Sequence, residues 1–201
     1  MMAKPYSSPA AAVALFTLFA GCSRSGPAAA AAAASPPDSQ STAVVPVSEK
    51  SPADSFPWLV ADSAERTVTL DLEVTARPGV GSASINGYRS GELRIVVPVG
   101  WTMGWNWRSS DPSAPHSLVV MVQREKIPLE GGRPSFSNAM TRMVTEGLRP
   151  GQTDRSTFEA EETGWYWMMC GVPSHGLNGE WLELRVDAEA KTARAETKKK
   201  A

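Results

Sequence analysis

The chain has 201 residues, which is enough for one domain of ordinary size with extensions at its ends. Its 20 basic and 21 acidic residues give a formal net charge of −1, with no basic stripe before the C-terminal end. This charge pattern argues against a nucleic-acid-binding protein.

The first 22 residues have the pattern of an export signal. A short polar start with Lys4 precedes an apolar run from Ala10 to Ala20, which is too short to span a bilayer as a permanent helix. The sequence Phe-Ala-Gly-Cys at 19–22 resembles the bacterial lipoprotein cleavage box, with Phe where Leu is usual. The resemblance implies cleavage before Cys22 and lipidation of its thiol, and the alternative is a plain secretory signal cleaved at a nearby small residue. In both cases the domain is expected to be exported, and the lipid would anchor it in the cell envelope, at the periplasmic or extracytoplasmic face of a bacterial membrane.

Two further segments are predicted to stay outside the fold. Residues 23–56 are rich in Ala, Pro and Ser and show no hydrophobic period, which predicts a disordered linker. Residues 188–201 are charged and Ala-rich and contain three consecutive lysines near the end, which predicts a disordered, solvated tail. The body between them, residues 57–187, is predicted to be one domain.

This body is a series of short strand patterns separated by turn residues. Residues 67–75 alternate strictly between polar and apolar side chains, so that the apolar ones share one face. A short helix at 137–144 is only weakly indicated. Further strand patterns occur at 84–88 (strand or turn), 93–98, 101–107, 116–122, 157–160, 164–170 and 181–186. Short strands at this spacing, almost without amphipathic helix, predict an all-β sandwich or barrel.

A candidate metal site lies near the end of the body. Cys170, His175 and Glu180 follow one another at five-residue intervals in a segment rich in Gly, Pro, Ser and Asn. Such residues favour turns, so the chain can fold back and bring the three side chains together. Thiol, imidazole and carboxylate groups that converge are typical metal ligands. With Cys22 assigned to the signal, Cys170 has no disulfide partner, which in an exported protein leaves a free thiol or a ligand.

His116 is the other histidine of the chain, and it follows Pro115 where a loop leads into a predicted strand. Either histidine taken alone is more often a core or solvated residue than a ligand. Together, one Cys, two His and a weak fourth ligand make the electron-transfer site of blue-copper proteins. Ser117, directly after His116, is expected to hydrogen-bond to the Cys170 loop and hold it closed.

These stretches resemble those of the cupredoxin family, and within it they are most similar to the sulfocyanins. The resemblance covers about residues 67–186. It implies a cupredoxin-like Greek-key β-sandwich that binds one copper ion through His116, Cys170 and His175, and that cycles between Cu(I) and Cu(II). The matching stretches are Ile85–Tyr88, Ile95–Pro98 with Gly100 and Trp101, Pro115–Ser117, Gly147 and Leu148 with Pro150 and Gly151, Gly164–Tyr166, and Cys170–Pro173 with His175.

Glu180 departs from the family pattern, because blue-copper proteins typically supply an axial Met five residues after the second histidine. An ionised carboxylate at the metal would stabilise Cu(II) over Cu(I) and lower the reduction potential. With one Cys and two His it would also suit tetrahedral zinc. The alternative is that Glu180 points to solvent and the axial position is empty or filled by a backbone carbonyl. Met168 and Met169 are other thioether sources, although strand parity places Met168 in the core.

The leading hypothesis is an exported, membrane-tethered, monomeric electron carrier, not an enzyme, that serves redox-partner proteins of a respiratory chain. One alternative is a copper site with a labile position that binds a small ligand such as nitric oxide, as suggested by nitrosocyanin, a red copper protein of related fold with a Glu ligand. Another is copper storage or delivery. Apart from the metal site, no catalytic motif is found in the sequence, because a Ser-His-Asp triad would need one of the two proposed histidine ligands.

Overall fold

The computed structural model of the protein describes residues 56–77 and 82–198. The predicted export signal with Cys22, and the predicted linker up to residue 55, lie outside these residues. Within the described part the chain forms ten strands and no helix, so it contains no helix able to cross a membrane. The strands are β1 (Leu59–Asp62), β2 (Thr67–Arg77), β3 (Ser82–Ile85), β4 (Leu93–Pro98), β5 (Thr102–Ser109), β6 (Val119–Val122), β7 (Thr153–Glu159), β8 (Gly164–Met169), β9 (Trp181–Asp187) and β10 (Arg194–Thr197).

The strands form two five-stranded sheets. The first has the order β1-β2-β5-β7, with β3 beside the end of β2, and the second has the order β10-β4-β9-β8-β6. The chain crosses repeatedly from one sheet to the other, so β2 and β5 pair in parallel, as do β4 and β9. All the other named pairs are antiparallel. The predicted all-β sandwich is confirmed.

The core between the sheets is built from the faces that the alternation predicted. On β2, Leu70 and Leu72 are buried, while Asp71 between them is exposed. On β5, Trp105 and Trp107 point to the same core. Large side chains therefore fill the space between the sheets and fix their separation.

Strand β8, which leads to the candidate ligand Cys170, is held on both faces. Met168 lies in the main core, as its parity predicted. Trp167 and Met169 point the other way and form a second, smaller cluster with Val119. Ile127, from the long connection between β6 and β7, packs on this cluster. The end of β8 is thus fixed before the chain reaches Cys170.

The C-terminal segment differs from the prediction. Residues 194–197 were expected in a disordered tail, but they form β10 and pair antiparallel with β4. Ala193 and Ala195 are buried. Two small apolar side chains among charged ones give a weak hydrophobic pattern, and it is the edge of β4 that makes this segment a strand.

Two local predictions are also corrected. Residues 137–144 form turns and bends instead of a helix, with Asn138 and Met143 at positive φ of 64° and 55°. Strand β6 begins at Val119, not at His116. His116 pairs with Leu148 in an isolated bridge, so its side chain belongs to a loop that approaches the sheet end.

Candidate metal centre

The structure brings the four side chains predicted as ligands to one point. His116 lies before β6, and Cys170, His175 and Glu180 lie in the loop that joins β8 to β9. One donor atom from each side chain lies within 4.8 Å of the other three. A thiol, two imidazoles and a carboxylate therefore meet where two neighbouring strands end.

The loop from Cys170 to Glu180 folds back on itself through its own hydrogen bonds. The amide of Cys170 donates to the carbonyl of Glu180 at 3.0 Å, and the amide of Glu180 donates to the carbonyl of His175 at 3.1 Å. Ser174 and Gly179 take positive φ values of 70° and 94°, which reverse the chain direction. The turn-rich composition predicted such a return, and the backbone bonds make it compact.

His116 is delivered by a separate part of the chain. Its amide donates to the carbonyl of Leu148 at 3.0 Å, and the amide of Leu148 donates back at 2.7 Å. Gly147 has a φ of 74°, and a Cβ there would lie 2.9 Å from the amide nitrogen of His116. Only glycine allows the two segments to approach this closely.

Glu180 lies inside the cluster and does not point to solvent, since it is only 2% exposed. Its Oε1 is 2.8 Å from Nδ1 of His116, and its Oε2 is 3.1 Å from Nδ1 of His175. The Sγ of Cys170 is 3.5 Å from the same Nδ1 of His175. The carboxylate thus stands between the two imidazoles, and both imidazoles face it with Nδ1.

The charges of these four side chains follow from burial and from this pairing. Burial alone would raise the pKa of Glu180, but the hydrogen bonds and charges of His116 and His175 outweigh it and lower that pKa. Burial would likewise lower the pKa of His116, but hydrogen bonds with Glu180 and Asp111 raise it. Burial, with the charge of Glu180, raises the pKa of Cys170 well above its usual range. A metal ion at this point would therefore replace the protons of the thiol and of His116 Nδ1.

Ser117 makes the contact that the sequence predicted. Its hydroxyl donates to the carbonyl of Val144 at 2.6 Å and accepts from the amide of Gly171 at 2.9 Å. Its own amide donates to the sulfur of Cys170 at 3.3 Å. The residue next to one candidate ligand therefore holds the loop that begins with another.

Asp111 is a residue at the site that the sequence analysis missed. Its Oδ2 accepts a hydrogen bond from Nε2 of His116 at 2.9 Å, on the opposite side of the ring from Glu180. Its Oδ1 accepts from the amide of Ser113 at 2.7 Å, in the turn that an Asp-x-Ser sequence favours. The signal in the sequence that could have identified Asp111 was this Asp-x-Ser turn pattern, five residues before His116.

Comparison with known proteins identifies the family. The family model of the sulfocyanin (SoxE) domain matches residues 55–195, which is more than half of the chain. The chain belongs to the sulfocyanin family. This agrees with the resemblance drawn from the Pro-His-Ser and Cys-x4-His stretches, and the matched region extends into the start of β10, which the sequence analysis had left outside the domain.

Individual relatives of this sulfocyanin-family chain are distant. A sulfocyanin from Sulfolobus acidocaldarius is 27% identical over 129 residues, which cover 61% of this chain and 64% of that protein. The match therefore spans less than two thirds of the relative. Among solved structures, a rusticyanin is 15% identical and covers 65% of this chain and 88% of its own, with a TM-score of 0.44. An auracyanin from Roseiflexus castenholzii is 20% identical and covers 58% and 96%, with a TM-score of 0.41.

The donor set fits the single copper ion that cupredoxins bind. Two imidazole nitrogens and one thiolate are the strong ligands of such sites, and the convergence of Nδ1, Nδ1 and Sγ supplies them here. The carboxylate of Glu180 is a possible fourth donor, at the place where a weak thioether is usual. Asp111 contacts His116 through Nε2, on the side of the ring away from these donors.

Proposed function

We propose that this protein is an exported, mononuclear copper protein that carries single electrons. The observation that carries the proposal is the convergence of His116, Cys170, His175 and Glu180 at the end of β8. A copper ion bound by these four side chains would supply one-electron chemistry by alternating between Cu(I) and Cu(II). The chain's own part is to hold the donors in place and to bury most of their surface.

Rigidity of the donors supports electron transfer, because ligands that move little between oxidation states lower the reorganisation energy. Cys170 is fully buried and follows a strand packed on both faces. Two backbone hydrogen bonds to other segments of the chain also hold the loop that follows Cys170. The amide of Ser174 donates to the carbonyl of Leu129 at 2.7 Å, and the amide of Ser90 donates to the carbonyl of Gly179 at 2.7 Å.

The surface beside His175 supports contact with a redox partner. The side chain of His175 is 21% exposed, whereas those of His116 and Glu180 are 2% exposed. Leu177 in the same loop and Leu129, whose carbonyl the loop binds, are exposed apolar side chains. An electron can therefore leave through the more exposed imidazole, whose loop also carries an exposed apolar side chain suited to brief docking.

Loading the metal-free protein with Cu(II) tests this function. We expect an intense visible absorption band from thiolate-to-copper charge transfer, and a reversible one-electron reduction by voltammetry. The Cys170→Ser variant should lose the band, while Ser156→Ala, which changes a hydroxyl on β7, should keep it. A protein that binds copper without a thiolate band, or that cannot be reduced reversibly, would contradict an electron carrier.

The role of Glu180 is tested by Glu180→Met. Removing an anionic oxygen and adding a neutral thioether should raise the reduction potential, because Cu(II) loses stabilisation relative to Cu(I). Glu183→Met is the matched control, since Glu183 is also a buried glutamate but bonds to Arg94 on the second sheet. Equal potentials for the two variants would show that Glu180 does not bind the metal.

Binding of a small ligand at the copper is a second candidate function. A cavity of about 190 Å³ is lined by His116, His175 and Glu180, whereas Cys170 does not line it. Because a water molecule occupies roughly 30 Å³ of liquid, this volume can hold a molecule of a few atoms. Addition of nitric oxide to the copper protein should then change its visible and electron paramagnetic resonance spectra. Unchanged spectra would contradict this second function.

The membrane tether and respiratory partners complete the proposal. A lipid on Cys22 and the predicted linker at 23–56 would let the domain visit several partners at one membrane surface. Expressed in a bacterium, the protein should fractionate with the cell envelope, and Cys22→Ser should release it into the soluble periplasmic fraction. Equal fractionation of the two would argue against the anchor.

A further inference from the structure

Each ring nitrogen of His116 lies within hydrogen-bond distance of a carboxylate. Nδ1 faces Glu180 within the candidate metal centre, and Nε2 bonds to Oδ2 of Asp111 at 2.9 Å. Both residues of this outer bond are buried, with His116 2% and Asp111 4% exposed. The ring is therefore held at its two ends by two carboxylates.

Asp111 is itself held firmly. Both the amide and the hydroxyl of Ser113 donate to its Oδ1, which leaves Oδ2 for the imidazole. A carboxylate with one oxygen anchored and the other directed at a ring nitrogen has little freedom to turn away. This arrangement differs from a surface ion pair, in which both side chains move and water competes.

A carboxylate on the outer nitrogen of a ligating histidine has two physical effects. It fixes which nitrogen carries the proton and how the ring is rotated, and it makes the inner nitrogen a stronger donor to the metal. It also adds a negative charge near the metal, and burial limits how far water screens that charge. Both effects stabilise the more highly charged metal ion.

We propose that Asp111 is a positioning residue of the metal centre, which presents Nδ1 of His116 to the metal and lowers the reduction potential of the site. This inference rests on the proposed metal-binding function. Two carboxylates would then set the reduction potential. Glu180 would act at the metal, and Asp111 would act through His116. Ser113 contributes to this positioning, because it holds the Asp111 carboxylate through two hydrogen bonds.

The test measures Zn(II) affinity by chelator competition on the full chain, and the reduction potential after copper loading. Asp111→Asn keeps the shape but loses the charge, and should weaken Zn(II) affinity by about 10- to 100-fold and raise the potential. Ser113→Ala keeps the charge of Asp111 but removes one of the two hydrogen bonds that hold its carboxylate. It should therefore weaken Zn(II) affinity and raise the potential, each by less than Asp111→Asn does. Asp71→Asn is the control, since Asp71 is an exposed aspartate on β2 that bonds to Asn106.

Circular dichroism at the assay temperature establishes that each variant is folded, and if Asp111→Asn is not, Ser113→Ala carries the comparison. Variants that bind Zn(II) as tightly as Asp71→Asn, with the same potential, would overturn the role of Asp111. The two proposals fail in different ways. A chain that binds Zn(II) but gives no thiolate-copper band contradicts the electron carrier and still allows Asp111 to be tested.

Discussion

Replacing Ser117 by alanine tests whether its hydroxyl holds the Cys170 loop. The hydroxyl bonds the carbonyl of Val144 and the amide of Gly171, and Ser117 is fully buried. Ser117→Ala leaves both backbone groups without this partner, and each buried group that loses its hydrogen bond costs about 1–3 kcal/mol of folding free energy. Because the chain relaxes in part, we expect a loss of about 2–4 kcal/mol, which for a domain of this size lowers the unfolding midpoint by roughly 6–15 °C.

Thermal unfolding of the metal-free protein, followed by circular dichroism, measures this effect without any contribution from a bound metal. Ser156→Ala is the matched control, because the half-buried Ser156 also donates its hydroxyl to a backbone carbonyl, that of the exposed Asn138. Its free energy of unfolding should change by no more than about 0.5 kcal/mol. Equal midpoints for the two variants would refute the reasoning, since the groups around Ser117 would then have found other partners.

Three further outcomes are expected. Burial opposes ionisation of Glu183, but bonds to Arg94 and Lys198 lower its pKa. The ionised Glu183 therefore contributes its full stabilisation of the fold above its ordinary pKa of 4.5, and this contribution is lost as the pH falls through the lowered pKa of the folded state. Glu183→Gln should accordingly reduce the dependence of the free energy of unfolding on pH in the acid range. Gly147→Ala should weaken Zn(II) affinity in chelator competition, because its Cβ displaces His116. Deleting residues 192–201 removes β10 and should cost about 2 kcal/mol in denaturant unfolding.

The parts of the fold that the sequence predicted are those encoded by neighbouring residues. The alternation in β2 depends only on the two-residue period of a strand, so Leu70 and Leu72 could be assigned to the core without knowing what they pack against. Strand β10 lacks such a pattern. It forms because β4 offers an open edge, and this depends on how distant parts of the chain come together.

The same division applies to the metal centre. His116, Cys170 and His175 could be predicted because their chemistry and spacing are visible in the chain. The inward position of Glu180 and the bond from His116 to Asp111 depend on rotations of side chains in a packed loop. Sequence spacing leaves such rotations open, which is why Glu180 had alternatives and Asp111 was missed.

The unequal spacing of the four donors affects how the protein acquires its metal. Cys170, His175 and Glu180 lie on one loop and stay near one another even in an unfolded chain, whereas His116 lies 54 positions before Cys170. An unfolded chain can therefore bind metal with three donors, and folding adds the fourth. Only the difference in affinity between these two states contributes to stability. The metal should thus stabilise the fold mainly through His116, and the unfolded chain should be able to take up the metal before its sheets have closed.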